Sequence, residues 1–190
     1  LLPIEVKEIK NQIDFYKRYR EVFQFGTFRR TNLGWQVSDG KTTLAGVFHG
    51  IVHAAPGYER LRIMGLQKEK TYRLSSLEQK IRVGQFGNLL KHVVPVSVSP
   101  NGILVRTADA HYAMPDGGED RTASGAALAA GILLKPMFRG TGYSPDQRNQ
   151  GDFGSNVYVI EPAEESRSSP GAPKSQYGIP SSGMFGWLIA

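Results

Sequence analysis

A change of apolar period at Gly26 constrains this chain more than any other feature. Residues 4 to 23 carry a helical repeat. Ile9, Ile13 and Tyr16 share one face, and Val6 and Phe23 extend the stripe. Lys7, Lys10, Asp14, Lys17 and Arg18 fall mostly on the other face. Pro3 suits a first helical turn. Glu5 and Glu8 near the start, and Arg18 and Arg20 near the end, suit the helix dipole. From Phe25 onward the period is two. A helical lead-in followed by a β-rich domain satisfies both periods.

Within the β-rich part, Phe28, the stretch Trp35-Gln36-Val37 and the run Leu44 to Val52 read as strands. Asp39-Gly40 lies between two of them, and Asp-Gly accepts the positive φ angles of a type I′ hairpin turn. Leu61 to Met64 and Thr71 to Leu74 alternate cleanly, with a turn at Gly65 to Glu69 between them. Phe86 to Val94 reads as a short helix and Ile103 to Tyr112 as a strand. Pro115 to Gly118 reads as a turn, Ala123 to Gly131 as a helix and Asn156 to Ile160 as a final strand. Roughly half of residues 162 to 190 are Pro, Gly or Ser, the composition of a flexible tail. That tail ends in the apolar run Met184-Phe185-Gly186-Trp187-Leu188-Ile189, far shorter than a bilayer span.

The length of 190 residues suits one domain, or one domain with appendages. There is no cysteine. This excludes disulfides, thiolate metal sites and a cysteine nucleophile, and fits a cytoplasmic protein. The net charge of +6 is spread out, with no basic run longer than Lys17-Arg18 or Arg29-Arg30. That pattern argues against a nucleic-acid surface. No apolar run is long enough to cross a membrane, and no signal peptide is visible. A start at Leu1 with a helix pattern almost at once suggests an excised fragment.

Several groupings could carry chemistry. His49 and His53 are four apart. In a strand that spacing covers about 13 Å, too far for both to hold one ion, so they read as ordinary sheet histidines. Asp116, Glu119 and Asp120 form an acidic turn but lack the ordered spacing of a calcium loop, so they read as solvated. Asp146 and Asp152 flank Arg148. They could form a glycosidase carboxylate pair, but an Asp152–Arg148 ion pair in a glycine-rich loop is the plainer reading. Ser124-Gly125 and Gly154-Ser155 lack the serine-hydrolase elbow, and Gly140-Thr141-Gly142 lacks a phosphate-loop context. Trp35, Tyr58, Tyr72, Tyr112 and Tyr143 could stack on sugar, although strand aromatics are more often core. The residues alone therefore assign no catalytic, cofactor-binding or metal-ligating position and imply no cofactor.

Three stretches in this order resemble the carboxy-terminal part of family 36 glycoside hydrolases, the α-galactosidases. The first is Phe15-Tyr16-Lys17, Arg20 and Gln24-Phe25-Gly26-Thr27-Phe28. The second is Arg60-Leu61-Arg62-Ile63, Gly65-Leu66 and Tyr72. The third runs from Phe138-Arg139-Gly140-Thr141-Gly142-Tyr143 through Arg148, Asp152-Phe153 and Ser155 to Tyr158. The middle, from Phe86-Gly87-Asn88-Leu89 to Ala129-Ala130-Gly131, is similar to clostridial-type members. The resemblance covers about residues 5 to 161. It departs between Phe28 and Trp35, where the segment is shorter and Arg29-Arg30 stands for Tyr-Arg-Leu.

The resemblance implies retaining hydrolysis of terminal α-galactosides by two aspartates on an eightfold β/α barrel. Neither the Lys-Trp-Asp motif nor the Cys-x-Ser-Gly-Gly-Gly region that carries them is present, so Asp146 and Asp152 inherit no role. The implied fold is mainly β: an antiparallel β-sandwich with an amino-terminal amphipathic helix and one or two short helices. The expected division is 1–24 for the end of the catalytic barrel, 25–161 for the sandwich and 162–190 for the tail. The expected role is to pack against and stabilise the barrel, with a homo-oligomer as a further possible assembly. The rival readings are a carbohydrate-binding or other surface-binding module, and an unrelated enzyme using Asp146 and Asp152.

Overall fold

The computed structural model describes residues 3–77, 79–82, 84, 102–138, 144 and 146–163. The helix predicted at 86–94, Tyr143, and the tail beyond Ala163 lie outside these.

Helix α1 (Pro3–Phe25) opens the chain, and strand β1 (Thr27–Arg30) follows at once. The joint works because residue 26 is glycine. A Cβ there would stand 2.4 Å from the Val22 carbonyl oxygen and 2.8 Å from Val37 Cγ2, so no larger residue fits between the helix end and the sheet. β1, β2 (Gly34–Ser38) and β3 (Thr43–Phe48) form an antiparallel meander. The shortened segment between Phe28 and Trp35 still closes its hairpin, with Thr31 N donating to Gly34 O at 3.0 Å.

The β2–β3 turn differs from the type I′ expectation. Gly40 has φ +90°, but Asp39 does not share the left-handed region. The loop instead spans residues 39–42. The Asp39 carboxylate accepts from Lys41 N at 2.8 Å and Thr42 N at 2.7 Å, so the side chain joins in closing the turn.

The last strand, β10 (Ser155–Pro162), inserts between β3 and β5 (Thr71–Ser76), and β8 (Asp120–Ser124) completes the sheet. The order is β1-β2-β3-β10-β5-β8, antiparallel throughout. The ladder carries through Pro162, opposite Tyr72, and Ala163 N still donates to Thr71 O.

Strand alternation sends side chains to two cores. On one face Val37, Leu44 and Val159 pack under Tyr19 and Val22 of α1, with Phe15, Phe23 and Trp35 alongside. On the other, Ala45, Val47, Tyr72, Leu74, Tyr158 and Ile160 pack against Leu61, Ile63, Leu128 and Leu134. These four come from a small second layer: Leu61 from the ladder of β4 (Arg60–Leu61) with β9 (Ile132–Leu133), Leu128 from helix α3 (Gly125–Ala130), and Ile63 and Leu134 from the chain just beyond β4 and β9. The fold is thus an antiparallel sandwich with a reduced second layer and α1 capping the outer face. A third ladder joins β6 (Lys80–Arg82) to β7 (Ala113–Pro115). From it Arg82 Nη1 reaches Glu5 of α1 at 2.6 Å.

Three strand assignments need correction. Ile103 to Tyr112 is not a strand: Ile103–His111 is helix α2. The β-branched residues Ile103, Val105 and Thr107 alternate, which imitates a strand. The Thr107 hydroxyl, however, donates back to Ile103 O at 2.9 Å, and of this helix only Val105 is buried. The alternating run at 61–64 leaves its ladder after Leu61. Beyond it the Gln36 side chain replaces a strand, donating to Met64 O at 2.8 Å and accepting from Met64 N at 2.9 Å. β3 likewise ends at Phe48 rather than at Val52.

Trp35 lies flat across Gly46 of the neighbouring strand, where an added Cβ would come within 2.4 Å of the indole. Gly46→Ala must therefore push the ring out of the α1 interface. The expected loss is about 1–3 kcal/mol in urea denaturation. Unchanged stability would contradict the packing described.

Candidate functional site

Two regions stand out from the fold: a polar cluster at the loop end of the sheet, and the outer face of α1. The cluster is built by two loops, one following β3 and one preceding β10. Backbone bonds zip them together, from His49 N to Gly154 O and from Phe153 N to Gly50 O, both at 2.9 Å. Asp152 caps the zip by accepting from Val52 N at 2.7 Å. Phe153 sits at φ 58°, in the region that favours glycine.

Arg148 fills the centre of the cluster and is 1% exposed. Its Nη2 donates to Glu59 at 2.7 Å and its Nε to the Lys135 carbonyl at 2.7 Å. Its backbone pairs with Pro136 and Phe138. The other Glu59 oxygen lies 3.1 Å from His49 Nδ1. Burial alone would raise the Glu59 carboxyl, but the bonds from His49 and Arg148 outweigh it and hold the group below the ordinary value of 4.5. Tyr158 stands behind them in the core. Burial pushes its phenol up to about 12, against the opposing field of Arg148.

This placement overturns two expectations, the Asp152–Arg148 ion pair and the solvated acidic turn. Arg148 pairs with Glu59, 89 positions away, and not with Asp152. The acidic turn is not solvated: Glu119 is 3% exposed, bound by Arg121 and by Lys135 N. Asp116 accepts from Asn149 N, while Asp120 alone faces water, paired with Arg73. The aromatics do not form one surface either. Tyr72 is in the inner core, Trp35 is under α1, and Tyr58 and Tyr112 are exposed separately. His53 is exposed and shares no ion site with His49. Among the described residues, no group of three or more His, Asp or Glu is placed to hold a metal. Asp146 points outward, 3.4 Å from Lys135 Nζ.

The cluster therefore works as a clasp. A 510 Å³ cleft beside it, between β6 and the 149–155 loop, is open and lined by Lys80, Asp116, Asn149 and Asp152 among others. Sequence reasoning singled out Arg148 but missed Glu59, which sits in no motif.

The second region is α1. Val6, Ile9, Ile13 and Tyr16 are 53%, 41%, 47% and 48% exposed. The stripe is continuous with the buried face, because the Tyr16 ring stacks on Phe23 at 6.1 Å and Phe23 meets Trp35 edge-on. No helix among the described residues is long and apolar enough to cross a membrane.

Because Glu59 is held below its ordinary value, its contribution to stability is complete above about pH 4.5 and is lost as pH falls through the lowered folded value. Urea denaturation of the parent and of Glu59→Gln should differ most near neutrality, and the two should converge in acid. A gap that stays constant on acidification would contradict the clasp.

No curated protein matches the chain. Among solved structures, the α-galactosidase of Lactobacillus brevis aligns with a TM-score of 0.52 at 21% identity, over 89% of this chain and 18% of that one. Two structures of the family 36 α-galactosidase AgaA of Geobacillus stearothermophilus, one with raffinose and one with 1-deoxygalactonojirimycin, align at 0.50 and 20% identity. Each covers 86% of this chain and 16% of theirs. The likeness is one of fold, and this chain spans less than a fifth of each. The model of the glycosyl hydrolase family 36 C-terminal domain matches residues 33–160, from the β1–β2 hairpin to the core of β10, and the chain belongs to that family.

Proposed function

We propose that this chain is the carboxy-terminal accessory domain of a larger α-galactosidase. The catalysis, retaining hydrolysis of terminal α-galactosides, belongs to a barrel outside this chain. Residues 1–24 correspond to the end of that barrel and 25–161 to the sandwich, whose last strand runs one residue further, to Pro162. The domain is not catalytic alone. It docks on the barrel and stabilises it.

The observation that carries this reading is the bare stripe of α1. A 23-residue helix is pinned to the sheet along one side by Phe15, Tyr19 and Val22, while Val6, Ile9, Ile13 and Tyr16 stay in water. Each is about half exposed, so covering it gains roughly half of the 1.5–3 kcal/mol of full burial, and the face as a whole suits a partner. The partner of best fit is the catalytic part of enzymes in which this fold occupies only 16–18% of the chain. Homo-oligomerisation across the same face must also overcome the loss of translational freedom. The rival sugar-binding module loses its aromatic platform, since Trp35 and Tyr72 lie in different cores.

The purified chain should leave an aryl α-galactoside and raffinose intact. Turnover that disappears in Asp146→Asn or Asp152→Asn would overturn the reading. In the full-length parent, Ile9→Lys with Ile13→Lys should lower the melting temperature of the barrel and spare kcat at low temperature. An unchanged melting temperature would contradict docking through α1.

A further inference from the structure

We propose that the open cleft beside the clasp binds a neutral, polyhydroxylated ligand of pyranose size. The proposal goes beyond the docking reading and does not rest on it, since it uses no side chain of α1. The cleft is a recess of 510 Å³ between β6 and the 149–155 loop, a volume within the range of small-molecule sites.

Its walls are held by bonds that the fold already makes. Asp116 N donates to Gln79 O at 3.1 Å, and Gly117 N donates to Gln147 O at 2.9 Å. The turn after β7 is thereby tied both to the chain before β6 and to the chain before β10. Asp116 is only 9% exposed, yet it lines the cleft. Its Oδ1 accepts from Asn149 N and, at 3.4 Å, from Asn149 Nδ2. Asp152 is held in the same way, with its Oδ1 accepting from Val52 N at 2.7 Å. In both carboxylates these bonds fall on Oδ1, which leaves Oδ2 for a ligand.

The chemistry of the walls selects the ligand. Besides the two carboxylate oxygens, Gln150 Oε1 is buried and has no hydrogen-bond partner, a condition that calls for a donor. Donors remain as well. Gln79 Nε2 and Gln150 Nε2 both donate to Ser155 O, at 2.9 and 3.3 Å, and each primary amide keeps a second N–H. A hydroxyl both donates and accepts, so it satisfies either kind of wall atom. An organic ammonium ion meets only the acceptors. An anion is disfavoured, because the carboxylates of Asp116 and Asp152 line the cleft against the single ammonium of Lys80. Phe138 and Ile81 add apolar surface to the same lining. A pyranose answers all of this, with hydroxyls around its rim and C–H groups on its faces. Trp35 and Tyr72 take no part, so their separation into two cores does not bear on this site. An open site with few anchors gives an affinity of order millimolar.

The test titrates D-galactose into the intact, isotope-labelled chain and follows its amide signals by NMR. Saturable shifts are expected in the backbone amides of Asn149 to Ser155 and in the side-chain NH2 signals of Gln79 and Gln150. Gly151→Trp should abolish them. A Cβ at Gly151 meets no atom within 4 Å, so the indole obstructs the cleft without straining the loop. Asp116→Asn keeps an oxygen to accept from Asn149 N and removes the charge. It should weaken binding about tenfold, the difference between a charge-assisted and a neutral hydrogen bond. The spectrum of each variant shows whether it is folded, and if Asp116→Asn is not, Gly151→Trp decides alone. No saturable shift at these amides in excess galactose overturns the proposal. So do shifts that either folded variant leaves unchanged, and shifts produced by ethylammonium chloride but not by the sugar. None of these results bears on the melting temperature of the full-length enzyme, so the docking reading is tested separately.

Discussion

The insertion of β10 between β3 and β5 is the constraint on which the rest of the structure depends. Without it the meander β1-β2-β3 and the pair β5–β8 share no hydrogen bonds in the sheet. Its side chains also serve both cores at once. Tyr158 and Ile160 reach the inner layer, Val159 packs beneath α1, and Glu161 holds Tyr19. A strand contributed from the far end of the domain closes contacts more than a hundred positions long. Such closure carries a large entropy cost that only cooperative burial offsets. The domain therefore stands or falls as a unit, and with it the bearing of α1.

The clasp around Arg148 belongs to the same logic. Its guanidinium lies one strand-length before β10 and ties that approach to Glu59, ahead of β4, and to the carbonyl of Lys135, beyond β9. A buried ion pair of this kind adds little net stability against an apolar equivalent, but it is costly to break. What it supplies is register: β10 enters the sheet with Ser155 opposite Phe48 because the loop before it is fixed. This accounts for Glu59, Arg148 and His49 gathered at one end of the sheet. These side chains hold the loops before β4 and β10 together.

The sequence made some of this legible, in proportion to how local the cause is. The switch at Gly26 is visible because helical and strand periods meet within a few residues, and the bare stripe of Ile9, Ile13 and Tyr16 is visible for the same reason. Asp39-Gly40 marks the hairpin but not its turn type, since the Asp39 carboxylate joins the backbone in closing a four-residue loop. Ile103 to His111 misled because three β-branched residues alternate by chance in a helix. Glu59 could not be found at all, because its importance lies wholly in Arg148, 89 residues later. Glu119 is visible as part of an acidic turn, but its burial is not, since that comes from Arg121 and the backbone of Lys135. Partners joined across the fold leave no mark on a single sequence.

Native-state hydrogen exchange, with rising urea, tests the account most directly. The amides of Asn156 to Glu161 in β10 should be among the slowest, and should converge with those of β3 and β5 on one global unfolding isotherm. If β10 opens at a lower free energy while β2–β3 and β5–β8 stay protected, the two halves are independent, and the central role given to this strand is wrong.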